Sequence, residues 1–184
     1  MANKSRASMV QSAASLISKH GASGTSLADV LAASRAPRGS MYHHFPSGKR
    51  QLLEDAVQLT ADSVLAHMRA TSAQTPREVL ACFFAMWRHV VEVSGGRAGC
   101  AIAGVAVDTD ADEQALMSVV RDAFRSWEAL LSEQLVASGV APAQAQALAI
   151  TALSAMEGAL ILCRAEGGVA PLDTVAEQVM RLLD

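Results

Sequence analysis

Apolar residues recur at helical spacing along almost the whole chain, and the alternating pattern typical of β-strands is nearly absent. In a first helix, at roughly residues 4–20, the apolar stripe ends at Gly21, a residue typical of helix C-termini. A short helix capped by Thr25 and Ser26 follows, and Pro37 suits the first turn of a third helix. The pattern therefore predicts an all-α fold that begins with three helices.

The remainder of the chain continues the helical pattern in six further segments. They are predicted at about residues 48–71, 76–94, 99–107, 111–138, 143–166 and 172–183. The longest apolar run, Ala98 to Val107, is too short to cross a bilayer, and the N-terminus lacks the apolar run of a signal peptide. About nine helices and a cytoplasmic location, without a membrane partner, are therefore expected.

Charge is distributed unevenly along the sequence. The formal net charge of −3 argues, on its own, against nucleic acid as a partner. Residues 1–53, however, carry seven basic residues against Asp29 alone, a net charge of +6, whereas residues 54–184 carry −9 and contain no lysine. Because charge acts through local fields rather than through the total, the N-terminal segment is suited to a phosphate backbone.

Residues 25–50 combine two short helices and a tight break with cationic and hydrogen-bonding side chains. In a helix-turn-helix, the first helix braces a second, the recognition helix, which lies in the DNA major groove. Arg38 can reach guanine or a phosphate, and Gly39 allows the backbone to approach DNA closely. Lys49 and the free N–H groups at the start of the fourth helix form a phosphate site. The side chains expected to face DNA are Arg38, Ser40, Tyr42, His43 and His44.

This segment resembles the DNA-binding domain of the TetR family of transcriptional regulators. The family pattern is a T-[ST] cap, a hydrophobic pair and K/R-G-[ST]-[LM]-Y-x-[HY]-F, followed by a turn with Pro and by a Lys. It matches Thr25-Ser26, Val30-Leu31, residues 38–45, Pro46 and Lys49. The resemblance implies a DNA-binding domain at residues 1–47, to which Thr25 and Ser26 contribute, and a ligand-binding and dimerisation domain at 48–184 with the fourth helix as connector.

Gly48 and the later segment GCAIAGVAVD, residues 99–108, resemble the LmrA and YxaF subgroup, whose members respond to antibiotics or flavonoid-like compounds. One position departs from the family pattern. Arg35 stands where the turn usually has glycine, and a non-glycine residue in left-handed geometry costs about 1 kcal/mol. Either the turn avoids that geometry, or Arg35 is retained for a phosphate contact.

Membership of this family implies a homodimer that binds a near-palindromic operator in double-stranded DNA, usually as a repressor. A small apolar or aromatic effector in the C-terminal cavity would release it. The effector-binding residues implied, each of which could instead belong to the core, are Phe83, Met86, Trp87, His89, Cys100, Phe124 and Trp127. The dimer interface implied on the last two helices contains Leu153, Met156, Leu160, Val175 and Val179.

Two other functions are compatible with the sequence: a helical enzyme with a buried apolar substrate site, and a DNA-binding protein without an effector. No catalytic spacing of Ser, His, Asp or Cys stands out, so neither catalysis nor a cofactor or metal is predicted. Asp108, Asp110, Asp112 and Glu113 resemble the start of a calcium loop, but Val119 stands where a bidentate Glu is required. Helix capping is the favoured interpretation, and the three cysteines are interpreted as buried apolar residues.

Overall fold

The computed structural model describes residues 2–37, 39–110 and 113–183. Within these ranges the regular secondary structure is entirely helical, which confirms the all-α prediction. The described residues form nine α-helices: α1 Ala2–His20, α2 Leu27–Ser34, α3 Ser40–His44, α4 Lys49–Arg69, α5 Pro76–Ser94, α6 Ala101–Asp108, α7 Gln114–Ala137, α8 Pro142–Glu166 and α9 Ala170–Met180. A 3-10 turn, Arg181–Leu183, follows α9.

Local hydrogen bonds explain where α2 and α5 begin. Ser26 Oγ accepts the N–H of Asp29, and the Asp29 carboxylate accepts the N–H of Ser26, which makes a capping box. Thr75 and Glu78 repeat this arrangement at the start of α5. These bonds stabilise the ionised carboxylates, so they hold the pKa of Asp29 and of Glu78 below its ordinary value. Both starts follow from residues close together in sequence, which is why they could be predicted.

The start of α7 differs from the prediction. The sequence predicts a helix from about residue 111, opened by Asp108-Thr109-Asp110, but α7 begins at Gln114 and Asp108 is the last residue of α6. The Asp108 carboxylate accepts hydrogen bonds from Ser23, 85 residues earlier in the chain. The capping interpretation is therefore wrong for Asp108. Asp112, part of the calcium-loop pattern, lies outside the described residues.

The chain divides into two compact units. Unit 1 comprises residues 1–62 and 100–123, and unit 2 comprises residues 63–99 and 124–184. The predicted boundary after residue 47 separates a DNA-binding domain from a ligand-binding and dimerisation domain, whereas the two units are defined by packing. That boundary therefore stays a prediction. The largest fully buried side chains of unit 1 come from α1, α3, α6 and α7 and from the residue after α3; they are Met9, Ile17, Met41, Phe45, Ile102 and Leu116.

Unit 2 is built around α8, which packs against α9 and α5. Helix α8 has 25 residues and, by length and composition alone, is long and apolar enough to cross a membrane. A comparable helix also occurs as the core helix of a folded domain, and α8 buries Ala152, Met156 and Cys163 completely within unit 2. Its place in this core accounts for its apolar composition.

Candidate nucleic-acid interface

Helices α2 and α3 form a helix-turn-helix in unit 1. Val30 of α2, Met41 of α3 and Phe45, which follows α3, are completely or almost completely buried. The guanidinium of Arg6 lies 5.3 Å from the centre of the Phe45 ring, a cation–π contact that helps to hold the end of α3. With Met41 and Phe45 turned inward, Tyr42 is left 75% exposed. His43 is exposed beside Tyr42, so α3 presents a short polar edge to solvent.

The turn between α2 and α3 decides the backbone geometry of Arg35. Arg35 adopts the left-handed conformation, φ 55° and ψ 30°, and its N–H bonds to carbonyls in the last turn of α2. It is the one non-glycine residue with positive φ in the described part of the chain. The alternative in which the turn avoids this geometry is therefore wrong, and an exposed arginine occupies a strained position. The phosphate contact of Arg35 stays a prediction. Arg38 lies outside the described residues.

Three predicted DNA-binding hydroxyl groups form hydrogen bonds within the chain. Thr25 is 3% exposed, and its Oγ1 donates to Gly21 O over 2.8 Å. Ser40 Oγ donates to Pro37 O over 2.6 Å, and Ser26 Oγ donates to the Asp29 carboxylate. These side chains position α2, α3 and the turn that joins them.

Neither the backbone conformation nor the packing of the described residues requires glycine at position 39. Its backbone is right-handed helical, φ −70° and ψ −16°, a conformation open to any residue. A Cβ atom built at Gly39 would meet no described atom within 4 Å. Gly48 differs, because its φ of +69° favours glycine. The space in front of Gly39 lies at the N-terminal end of α3, beside the exposed edge.

Lys49 and Asp108 form a polar cluster around the turn between α1 and α2. Lys49 Nζ donates to Ala22 O over 2.7 Å. The Asp108 carboxylate accepts from Ser23 N at 2.9 Å and Ser23 Oγ at 3.0 Å; these bonds, together with the charge of Lys49, hold its pKa below the ordinary value. A Cβ on Gly21 would overlap this carboxylate, so glycine is required there. Nothing in the local sequence indicated this cluster.

The predicted effector-binding residues fall into separate groups. In unit 2, the ring of Trp127 lies 5.8 Å from Trp87 and 5.8 Å, edge to face, from Phe124. Phe83, one turn before Trp87 on α5, is buried, whereas Met86 is half-buried and His89 is exposed. The structure thus brings part of the aromatic set into one cluster.

Cys100 does not belong to that cluster. It lies in unit 1 as the residue before α6, where its Sγ accepts the N–H of Ala103 at 3.5 Å. Unit 2 also contains a groove of about 410 Å³ between α5 and α9, which sequence analysis did not indicate. Phe84, Leu172 and Met180 line it, and the ion pair of Arg88 with Asp173 lies at its edge.

Four of the five residues predicted for the dimer interface are buried inside unit 2. Leu153, Met156, Leu160 and Val179 are at most 8% exposed, and Val175 is half-buried. The side chains that α8 exposes are on its other face: Ile150 is 49% exposed, Ile161 70% and Leu162 52%. The predicted apolar residues therefore have almost no surface left for a second chain.

A brace helix anchored by the buried Val30, a short helix with an exposed polar edge and a basic N-terminal segment together define a helix-turn-helix DNA-binding protein. Comparison with known proteins gives the family. Residues 10–56 match the family model described as bacterial regulatory proteins, tetR family, and residues 76–178 match that of the LmrA/YxaF-like transcriptional regulator C-terminal domain. The chain belongs to the TetR family of transcriptional regulators, with a C-terminal domain of the LmrA/YxaF type.

Curated relatives match over nearly their whole length. An HTH-type transcriptional regulator of Mycobacterium tuberculosis is 38% identical over 97% of this chain and 93% of its own. The regulator YxaF of Bacillus subtilis is 29% identical over 95% of this chain and 93% of its own length. LmrA of the same organism is 26% identical over 97% of this chain and 96% of its own length. The chain is accordingly a DNA-binding transcriptional regulator rather than an enzyme.

Solved structures show the same fold. A TetR-family regulator of Agrobacterium tumefaciens superposes with a TM-score of 0.85 at 23% identity, over 98% of both chains. A cysteine mutant of the TetR-family regulator CifR, complexed with 26-base-pair operator DNA, superposes with a TM-score of 0.76 at 19% identity, over 95% of this chain and 94% of that one.

Proposed function

We propose that the chain is a cytoplasmic, homodimeric repressor that binds a near-palindromic operator through α3. A small apolar or aromatic effector, bound in unit 2, releases it from DNA. The observation that carries DNA contact at α3 is Gly39, because the fold leaves this position free for any residue. A glycine that the protein does not need is explained by close approach of the DNA backbone.

The exposed residues beside Gly39 supply the contacts. Tyr42 and His43, on the edge of α3, contact base edges or phosphates, and Arg35 contacts a phosphate from the turn. The predicted contact of Arg38 with guanine or phosphate remains part of this proposal. Lys49 acts mainly by holding the turn before α2, since its amine already donates to Ala22 O.

The dimer forms through the exposed face of α8. Ile150, Gly158, Ile161 and Leu162 recur at helical spacing on this face, and Gly158 allows a close approach because a Cβ there would meet nothing within 4 Å. Solvent-exposed isoleucines at this spacing are typical of an unpaired helix face. Two chains bring two recognition helices to half-sites about 34 Å apart, one turn of DNA.

Selection of bound duplexes from a random DNA pool tests DNA recognition. A palindromic consensus with half-sites about one helical turn apart is the expected result. Gly39→Ala should lower the affinity for that consensus and leave the melting temperature unchanged. Gly168→Ala is the matched control, because a Cβ at Gly168 also meets nothing within 4 Å but lies in unit 2. Wild-type affinity in the Gly39 variant would exclude close approach at α3.

The effector is tested separately with a panel of aromatic compounds. Compounds that raise the melting temperature should also weaken binding to the selected operator, because the two ligands are linked through one conformational equilibrium. If no compound that binds the protein changes its DNA affinity, the chain is instead a DNA-binding protein without an effector.

A further inference from the structure

Helix α3 depends on neighbouring elements for its position. It has five residues, and its N-cap residue, Gly39, makes no side-chain cap. Helices this short are marginal on their own, because few hydrogen bonds offset the cost of ordering the backbone. At the other end of α3, Phe45 is completely buried and donates its N–H to Met41 O over 2.8 Å. A contact that holds the Phe45 ring therefore helps to fix the position of α3.

Arg6 of α1 connects the Phe45 ring to α4. Its guanidinium lies 5.3 Å from the centre of that ring, and its Nη2 donates to the carboxylate of Asp55. Asp55 lies on α4, 49 residues later in the chain. One arginine side chain thus joins α1 and α4 to the end of α3.

A row of rings continues from Phe45 to the exposed edge of α3. His44 meets Phe45 edge to face, with 6.5 Å between ring centres, and His43 meets His44 in the same way at 5.1 Å. His43 is exposed and is one of the side chains proposed to contact DNA. Because neighbouring rings touch along this row, a shift of Phe45 displaces His43 as well.

The charge of Arg6 is already matched within the protein. The side chains of Arg6 and Asp55 are 40% and 26% exposed, so both are partly buried in their ion pair. We infer that Arg6 is a positioning residue for operator recognition and not a phosphate contact, although it is one of the seven basic residues in segment 1–53. This inference rests on the proposed DNA contact of α3, which Gly39→Ala tests separately.

The first test compares binding of the full-length chain to the selected operator and to a scrambled duplex. Loss of a phosphate contact weakens binding to both about equally, whereas a displaced recognition helix weakens binding to the operator most. Arg6→Met keeps an unbranched side chain and should lower the operator affinity about tenfold, because each chain of the dimer loses an ion pair and a cation–π contact. Binding to the scrambled duplex should hardly change.

The salt dependence of operator binding gives a second readout for the same variant. The slope of the log–log plot should stay as in the wild type, whereas loss of two phosphate contacts would make it shallower by about 2. Lys4→Met is the matched control, since Lys4 is an exposed cation on the same helix. It should preserve the ratio of the two affinities whether or not Lys4 touches a phosphate.

Asp55→Asn distinguishes positioning from charge by the sign of its effect. Removal of a carboxylate makes the DNA-binding segment more positive, so electrostatics alone predicts tighter binding. If Arg6 positions α3, operator binding should weaken instead. The double variant should bind no more weakly than Arg6→Met alone, because both substitutions break the same pair.

Affinities are referred to the active fraction from stoichiometric titration, so that partial unfolding is not mistaken for weak binding. Tighter operator binding by Asp55→Asn would overturn the inference. So would unchanged operator affinity, an equal loss on both duplexes or a shallower salt slope in Arg6→Met. Wild-type affinity in Gly39→Ala would instead contradict the proposed contact of α3 itself.

Discussion

Replacing Arg35 by glycine should make the protein more stable and its DNA binding weaker. Arg35 has φ 55°, in the left-handed region that is unfavourable for residues with a Cβ. Glycine adopts this conformation without steric cost and keeps the N–H bonds to the end of α2. The guanidinium is exposed, so its removal takes away no packing. A residue that lowers stability in this way is retained for another reason, which we attribute to a phosphate contact.

The size of the stability change follows from two opposing terms. Left-handed geometry costs a non-glycine residue about 1–2 kcal/mol. Glycine in turn loses about 0.5–1 kcal/mol more conformational freedom on folding. The net gain for Arg35→Gly is therefore about 0.5–1 kcal/mol, which for a chain of 184 residues raises the melting temperature by about 1–4 °C.

DNA binding is measured as affinity against salt concentration. Each phosphate contact contributes about 0.9 to the slope of the log–log plot, so a dimer that loses two contacts should show a slope shallower by about 2. Arg35→Lys keeps both the charge and the strained backbone, and it should leave slope and melting temperature unchanged. A Gly variant less stable than wild type would refute the strain argument, and an unchanged slope would refute the phosphate contact.

Gly21→Ala should destabilise the protein more than Gly95→Ala in thermal unfolding: both have positive φ, but only at Gly21 would a Cβ overlap a carboxylate. Equal losses would contradict this packing. Ile161→Glu should shift sedimentation from dimer to monomer, whereas Val93→Glu, equally exposed on α5, should not. Asp108→Asn should lower stability above pH 3.8, the ordinary value of this carboxyl. Because folding lowers its pKa, the wild-type advantage should vanish as pH falls through the folded value; a constant difference in acid unfolding would refute the Asp108–Ser23 bond.

The exposed face of α8 changes how the dimer is tested. Met156 was a natural choice from sequence, and a charge there would be expected to separate the two chains. Met156 is completely buried within unit 2, so Met156→Glu places a charge in the core and tests folding instead. Ile161 tests association itself, because its side chain is 70% exposed.

The sequence by itself determined the helices, the helix-turn-helix and the family. Capping residues and the 3.6-residue period act over a few positions, so the starts of α2 and α5 are encoded locally. The family pattern of the helix-turn-helix, which includes Gly39, likewise lies within the short segment 25–50. The charge difference between residues 1–53 and the remainder also needs no structure to be seen.

Only the tertiary structure decided which helix faces are exposed to solvent and which polar groups find a hydrogen-bond partner. Helix α8 is apolar on most of its surface, so periodicity could not show whether Met156 or Ile161 faces its own chain. The partner of Asp108 is 85 residues away, and the packing around Trp87 leaves its Nε1 without a hydrogen-bond partner among the described residues. Arg35 adopts a conformation that local preference disfavours. In each case the outcome depends on contacts between distant segments, which a local sequence pattern does not specify.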